Sequence, residues 1–305
     1  MRNKFADAVF EIGSKDKRVC ALVADISPAG SMLKFRENFP DRFINTGVAE
    51  QSMIGIAAGL ALRGMRPVCY TIATFSLYRP FEMIRVDLCY QNLPVTIIGM
   101  GAGVIYSTLG GTHHSMEDIS IASSLPNMTV LAPCDPLEMR LATEWCLTKS
   151  KGPVYMRLGK AGEPNLTENA KESFEIGKIR NLVKGKKIAI LSYGITLNLC
   201  FQVMEKLKLN GLQPSIYSCH TLKPFDEFTI SKILNEYQEI VCVEEHVPNG
   251  GLSSLVKNSA LNNRSNAQIK SFTLKDNFIH FYGSHLELLN KHGLSVERII
   301  SKIQT

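Results

Sequence analysis

The residues best equipped for chemistry are a lone acid and a pair of histidines set among glycines and aromatics. Glu50 is the one carboxylate between Arg42 and Gly59. Small residues follow it at helical spacing, Gly55, Ala58, Gly59 and Ala61, and they let another backbone or helix come close. A lone acid beside a close-packed helix is costly unless something uses its proton or its charge. The alternative is a plain first-turn acid favoured by the helix dipole.

Three further segments could cooperate with Glu50. Ala73 to Arg79 follows an expected strand and carries Phe75 and Tyr78 at its carboxyl end, where open α/β sheets bind ligands. Gly99 to Gly103 leads into Leu109-Gly110-Gly111-Thr112-His113-His114. Its glycines allow close backbone approach, and its histidines titrate near neutral pH. Gly152 to Arg157 places an arginine at the end of a strand. Each segment has a structural alternative. The two aromatics suit a core, the histidines could cap Met116-Glu117-Asp118, and Arg157 could be a surface cation. That all of them follow successive strands favours a shared site.

The elements that must position these residues alternate. Strands are expected at Val19 to Val23, Arg42 to Asn45, Val68 to Ile72, Val95 to Met100 and Thr129 to Ala132. Helices are expected at Lys4 to Ser14, Glu50 to Arg63, Pro80 to Gln91, Met116 to Ser123 and Pro136 to Thr148. Asp135-Pro136 puts a capping acid before a first-turn proline. Such alternation implies a mostly parallel sheet covered by helices. Gly159 to Gly177 is polar and aperiodic, so it reads as an interdomain linker. A second alternation follows: strands Ile188 to Ser192, Pro214 to Ser218, Glu239 to Glu244 and Gln268 to Thr273. Its helices are Thr196 to Asn210, Glu227 to Glu236, Gly251 to Leu261 and Ser295 to Ile303. The expected organisation is a first domain over 1–160, a linker over 161–178 and a smaller α/β domain over 179–305.

At 305 residues, 45% apolar and 20% charged, the chain can bury a sizeable core. A net charge of +6 without a long basic run argues against nucleic acid; Lys184-Gly185-Lys186-Lys187 reads as a solvated turn before a strand. The eight cysteines show neither metal-ligand nor disulfide spacing. With no signal peptide and no apolar run of spanning length, a cytoplasmic protein is expected.

In combination and order, these residues resemble the carboxyl-terminal half of transketolase-type, thiamine-diphosphate enzymes. The resemblance covers essentially the whole chain. It is carried by Val23-Ala24-Asp25, Asn45 to Gln51, Gly64-Met65-Arg66-Pro67, Thr74-Phe75, Gly111-Thr112-His113, Leu125 to Met128, Pro133-Cys134-Asp135 and Gly152-Pro153. Thr221 to Phe225, Glu244-Glu245 and Gly250-Gly251 extend it into the second domain. The fold it implies is a pair of doubly wound α/β domains, a pyrimidine-binding domain followed by the family's smaller C-terminal domain.

The resemblance also implies roles. Glu50 is expected to hydrogen-bond the pyrimidine ring nitrogen of thiamine diphosphate, favouring the imino tautomer that takes the thiazolium proton. The activated cofactor then attacks a ketose carbonyl and serves as electron sink. Phe75 and Tyr78 match aromatic positions that line and stack on the pyrimidine. His113 matches a histidine at the reacting oxygens, with His114 beside it in place of the usual glutamine. Asp25 matches an acid near the thiazolium, and Arg157 and Arg2 match positions that hold a sugar phosphate. Leu109 and Gly101 depart from an aspartate and a histidine that contact sugar hydroxyls in the family. A wider or more apolar pocket for modified sugars is therefore expected.

The family holds the cofactor's diphosphate and Mg²⁺ with a Gly-Asp-Gly motif and a later asparagine, and no Gly-Asp-Gly occurs here. The resemblance thus implies a split enzyme. A separate amino-terminal subunit supplies that half of the site in an α2β2 assembly, and no metal ligand is expected in this chain. The leading reading is the carboxyl-terminal subunit of a two-chain transketolase that transfers a two-carbon ketol unit. Alternatives are the β subunit of a 2-oxo-acid dehydrogenase decarboxylase and a deoxyxylulose-phosphate synthase-like enzyme. The first normally shows His-Ser-Gln-Ser where this chain has Thr112-His113-His114-Ser115. The second is normally one chain with all three domains. A non-catalytic partner subunit is a further alternative, opposed by the joint presence of Glu50, Phe75 and His113.

Overall fold

The computed structural model describes residues 1–26 and 31–303. Its first sheet contains β1 (Val19–Val23), β2 (Phe43–Asn45), β3 (Arg66–Ile72), β4 (Thr96–Met100), β5 (Thr129–Leu131) and β6 (Val154–Leu158). These strands run parallel, and β1, β4 and β6 are buried along their full length. Full burial explains their continuous apolar runs, because helices cover both faces of a parallel sheet. The second sheet contains β7 (Arg180–Val183), β8 (Ile188–Ser192), β9 (Ser215–Ser218), β11 (Glu239–Val243) and β12 (Gln268–Phe272) in the order β12-β11-β8-β9-β7. Only β7 is antiparallel to its neighbour there. This is the pair of α/β domains that the alternation and the family resemblance lead one to expect.

Several elements differ from expectation. β10 (Thr221–Lys223) follows β9 but crosses over to pair antiparallel with β5 at the edge of the first sheet, whose order is β10-β5-β6-β4-β3-β1-β2. The domains are thereby stitched by main-chain hydrogen bonds. The helix expected over Pro80 to Gln91 is a short α turn, Phe81–Met83, continued by π-helical Ile84–Tyr90; Thr74–Tyr78 is π-helical as well. Such windings are frequent at functional sites. Helices Ser31–Asn38 and His285–His292 and strands β7 and β10 add to the elements expected from sequence.

The aperiodic segment after β6 is anchored to the first domain. Asp135 Oδ1 caps the helix Pro136–Thr148 by accepting from Glu138 N at 2.8 Å. Its Oδ2 accepts from Leu166 N, Thr167 N and Thr167 Oγ1 at 2.9, 2.7 and 2.8 Å. The helix Glu50–Leu62 buries Met53, Ile54, Ala57, Ala58 and Ala61. Its outward face, with Ser52, Gly55, Ile56, Gly59 and Leu62, is uncharged, and a Cβ at Gly55 or Gly59 would meet nothing within 4 Å. The two glycines therefore face away from this chain, while Ala58 and Ala61 pack within it. No helix among the described residues is long and apolar enough to cross a membrane.

Candidate active site

The site residues lie at the carboxyl ends of β1 to β4, where strand ends feed loops and helix starts. Asn45, the last residue of β2, ties two of these ends together. Its Oδ1 accepts from Asp25 N and Gly47 N, both at 3.0 Å. Asp25 itself is exposed and left-handed, with φ +48°. The turn delivers the chain to Glu50, the first residue of its helix, where the dipole favours an anion. Glu50 is only 2% exposed. Arg79 Nη1 pairs with its Oε2 at 3.0 Å, and the Arg79 guanidinium also lies 4.8 Å from the Phe75 ring centroid. Burial of the carboxylate is thus compensated by one planar cation that is itself 48% exposed.

Phe75 meets His113 edge to face at 5.1 Å between centroids, and Tyr106 meets the same imidazole at 6.1 Å. Thr74 Oγ1 donates to the Thr112 carbonyl at 3.2 Å, so the π-helical turn and the histidine loop are joined at their tips. Thr112 Oγ1 and His113 Nδ1 are 2.9 Å apart. Burial pushes the His113 pKa down, which keeps the ring neutral near pH 7. His114 points inward, 5% exposed, and neither ring nitrogen has a hydrogen-bond partner. Burial lowers its pKa too, against the pull of the Tyr106 backbone and Glu245.

Tyr78 is committed to a polar cluster. Its hydroxyl donates to Glu117 Oε2 at 3.0 Å, accepts from Glu117 N at 3.3 Å and lies 3.0 Å from Ser115 Oγ. Burial raises the phenol pKa well above its usual value, with Asp118 adding to the shift. The structure therefore gathers Glu50, Phe75 and His113 around Arg79 and the joined loops, while Tyr78 props the histidine loop from beneath.

Arg157 requires a correction. The sugar-phosphate role expected for it does not fit its placement, because the side chain is buried at 7% exposure. Nε pairs with Asp118 Oδ2 at 3.2 Å, and Nη2 donates to the carbonyls of Ser115 at 3.3 Å and Glu245 at 2.8 Å. The guanidinium lies 5.6 Å from the Tyr193 ring. As the fourth residue of a strand buried throughout, it points into the interdomain core instead of ending the strand in solvent. Lys160, two residues beyond β6, is exposed, and its Nζ lies 5.4 Å from the Tyr106 ring centroid. Arg2 is half-buried, with a buried Nε that has no hydrogen-bond partner. Its charge opposes the burial that raises the Tyr70 and Tyr106 pKa values. Arg79, Tyr106 and Lys160 do not stand out in the sequence, and only their nearness to the motifs above points to them.

The arrangement offers a buried carboxylate, an aromatic face and a neutral imidazole, groups that fit the pyrimidine end of a thiamine cofactor. Among the described residues no group of three or more His, Cys, Asp or Glu side chains could hold a metal ion.

Residues 1–163 match the pyrimidine binding domain of transketolase, and residues 177–299 match the transketolase C-terminal domain. The chain belongs to the transketolase family, whose members depend on thiamine diphosphate. It corresponds to the carboxyl-terminal subunit of a split transketolase. It is 33% identical over 98% of its length to an apulose-4-phosphate transketolase subunit of Phocaeicola vulgatus, covering 94% of that protein. It is 34% identical over 83% of its length to a 6-deoxy-6-sulfo-D-fructose transketolase subunit of a Clostridium species, covering 78% of that protein. A solved structure of a split-gene transketolase, an inactive β4 tetramer, superposes with a TM-score of 0.88 at 30% identity. That match covers 99% of this chain and 96% of the other.

Proposed function

We propose that this chain completes a thiamine-diphosphate site with an amino-terminal subunit and that the pair transfers a two-carbon ketol unit between modified or phosphorylated sugars. The observation that carries the reading is the buried Glu50 carboxylate, which Arg79 bridges to the Phe75 face. Bound thiamine diphosphate would supply the nucleophilic carbon and the electron sink. Glu50 would hold the pyrimidine by a hydrogen bond to its ring nitrogen, and Phe75 would line that ring. Neutral His113 can accept or return a proton at a reacting oxygen. Tyr78 holds the loop beneath these groups, and Asp25 stands at the neighbouring strand end.

At the substrate end, of the wider or more apolar pocket expected, the apolar character is the part that the residues favour. A side chain at Gly101 would collide with the Tyr106 ring, and Gly101 has φ +68°. Tyr106 therefore fills the space that the family's histidine would take. Leu109 is 48% exposed at the same loop. An aromatic and an aliphatic wall suits a sugar with an altered or missing hydroxyl, in keeping with the modified sugars named for the two relatives. Lys160 and Arg2 are better placed than Arg157 to receive a phosphate. His114, buried beneath His113, is read as a support of the substrate loop.

The partner chain would hold the diphosphate and Mg²⁺. The uncharged outward face of the helix Glu50–Leu62 is a surface for it, and an α2β2 assembly follows if two such pairs associate. Eight buried free cysteines suit a reducing, cytoplasmic setting. The test is a panel of ketose phosphates and modified ketoses assayed on the pair co-expressed with its amino-terminal subunit. Ketol transfer from at least one donor is expected. An assembled, cofactor-loaded pair that transfers from none would overturn the reading.

A further inference from the structure

The second domain reaches into the loop that carries His113. Glu245 lies two residues beyond β11 and is 2% exposed. Its Oε1 accepts the Val104 amide at 2.6 Å and lies 3.0 Å from His285 Nε2. Its backbone carbonyl accepts from Arg157 Nη2 at 2.8 Å, and the same Nη2 reaches the Ser115 carbonyl at 3.3 Å. Gly103 and Ser115 hydrogen-bond each other in both directions at 2.8 Å. Gly103 has φ +74°, and any side chain there would strike the Glu245 carboxylate. Both stems of the 104–114 loop are therefore tied to one residue of the other domain. From Ser115 the tie continues through Oγ to the Tyr78 hydroxyl, 3.0 Å away.

A buried carboxylate is expensive to keep unless it is paired and hydrogen-bonded. Here burial is offset by His285, Arg157 and the Val104 amide, which together hold the Glu245 pKa below its usual value. This arrangement is built, and the interface alone does not require it. An apolar residue would pack the same space without fixing where the loop stems lie.

We propose that Glu245 is a positioning residue for ketol transfer: anchored by His285, it fixes the stems of the 104–114 loop and so the placement of His113 against Phe75. The proposal rests on the transketolase reading of the site. It gives the second domain a defined task in that reaction, carried out through the 104–114 loop.

The test compares wild type, Glu245→Gln, His113→Ala and the double variant, each assembled with the amino-terminal subunit. Loop mobility is read by hydrogen exchange in the same samples. Glutamine keeps an acceptor for Val104 N but loses the charge that His285 anchors. Exchange at Val104 and across 104–114 should accelerate about tenfold, while amides in β1 and β4 stay unchanged. Turnover should fall about tenfold with KM for the donor little altered. In the His113→Ala background the same change should cost less than about twofold, because Glu245 acts through His113. Unchanged loop exchange, or an equal loss of turnover in both backgrounds, would overturn the proposal. If Glu245→Gln does not fold, His285→Gln takes its place; it should loosen the loop in the same direction, and an unaltered loop would again overturn the idea. A wild-type pair without ketol transfer would sink the transketolase reading, while the exchange data would still decide whether Glu245 braces the loop.

Discussion

Arg79 lies on both groups assigned to the cofactor's pyrimidine, the Glu50 carboxylate and the Phe75 face. The strength of its hold can be worked out from its surroundings. The ion pair is 3.0 Å long and joins a carboxylate at 2% exposure to a guanidinium at 48% exposure. It falls between a surface pair and a buried one, and solvent screening of the arginine limits it to about 1 kcal/mol. The cation over the Phe75 ring at 4.8 Å adds about 0.5–1 kcal/mol. Displacing Arg79 thus costs about 1.5–2 kcal/mol, and removing it should tighten thiamine diphosphate binding to the assembled pair by about tenfold to thirtyfold. Arg79→Ala should show this in calorimetric titration with Mg²⁺ present. Arg79→Lys, which keeps the charge but loses the planar stack, should show less. Unchanged or weaker binding by Arg79→Ala would refute the reasoning and make Arg79 part of the cofactor's grip.

Three further outcomes are expected. The isolated chain should bind thiamine diphosphate and Mg²⁺ weakly by calorimetry; tight, Mg²⁺-dependent binding by the chain alone would refute the half-site. Lys160→Ala should raise KM for phosphorylated donors about tenfold with little change in kcat, and an unchanged KM would remove Lys160 from the phosphate end. Burial, with the Arg180 charge assisting, pushes the His220 pKa from 6.5 down to about 3. Between those values the unfolded chain holds the extra proton, so stability present above about pH 6.5 should be lost as the pH falls toward about 3. His220→Phe retains a ring against Phe174, which stacks on His220 at 4.2 Å, and should flatten that loss in urea unfolding at successive pH values. An identical acid slope in the variant would contradict it.

Much of the fold is legible because buried parallel strands leave unmistakable runs. Ile188–Ser192 reads at its observed bounds, and the Asp135-Pro136 signal places Pro136–Thr148 correctly. Elements decided by pairing rather than pattern are not legible. β10 is three residues long and exists because β5 offers it an edge, and β7 is a partly buried edge strand with no alternation. The helix His285–His292 is rich in polar residues, and its local signals lie at its ends, the capping box of Ser284 and Glu287 and the left-handed Gly293.

The same division holds at the site. Glu50 stands out as a lone acid in an uncharged run, and His113 stands out among glycines. Arg157 misleads because a strand's terminal segment reads as exposed, whereas tertiary packing turns its guanidinium inward to Asp118. Glu245 meets Val104 across 141 positions of sequence, and no local periodicity reports such a pairing.

The most direct measurement is ketol transfer by the assembled pair carrying Glu50→Gln, with assembly followed in the same preparation. Glutamine keeps the size of the buried side chain and one acceptor oxygen but removes the carboxylate's charge and its acid–base chemistry. The account predicts that transfer is abolished while the pair still assembles. Normal turnover by that variant would contradict it.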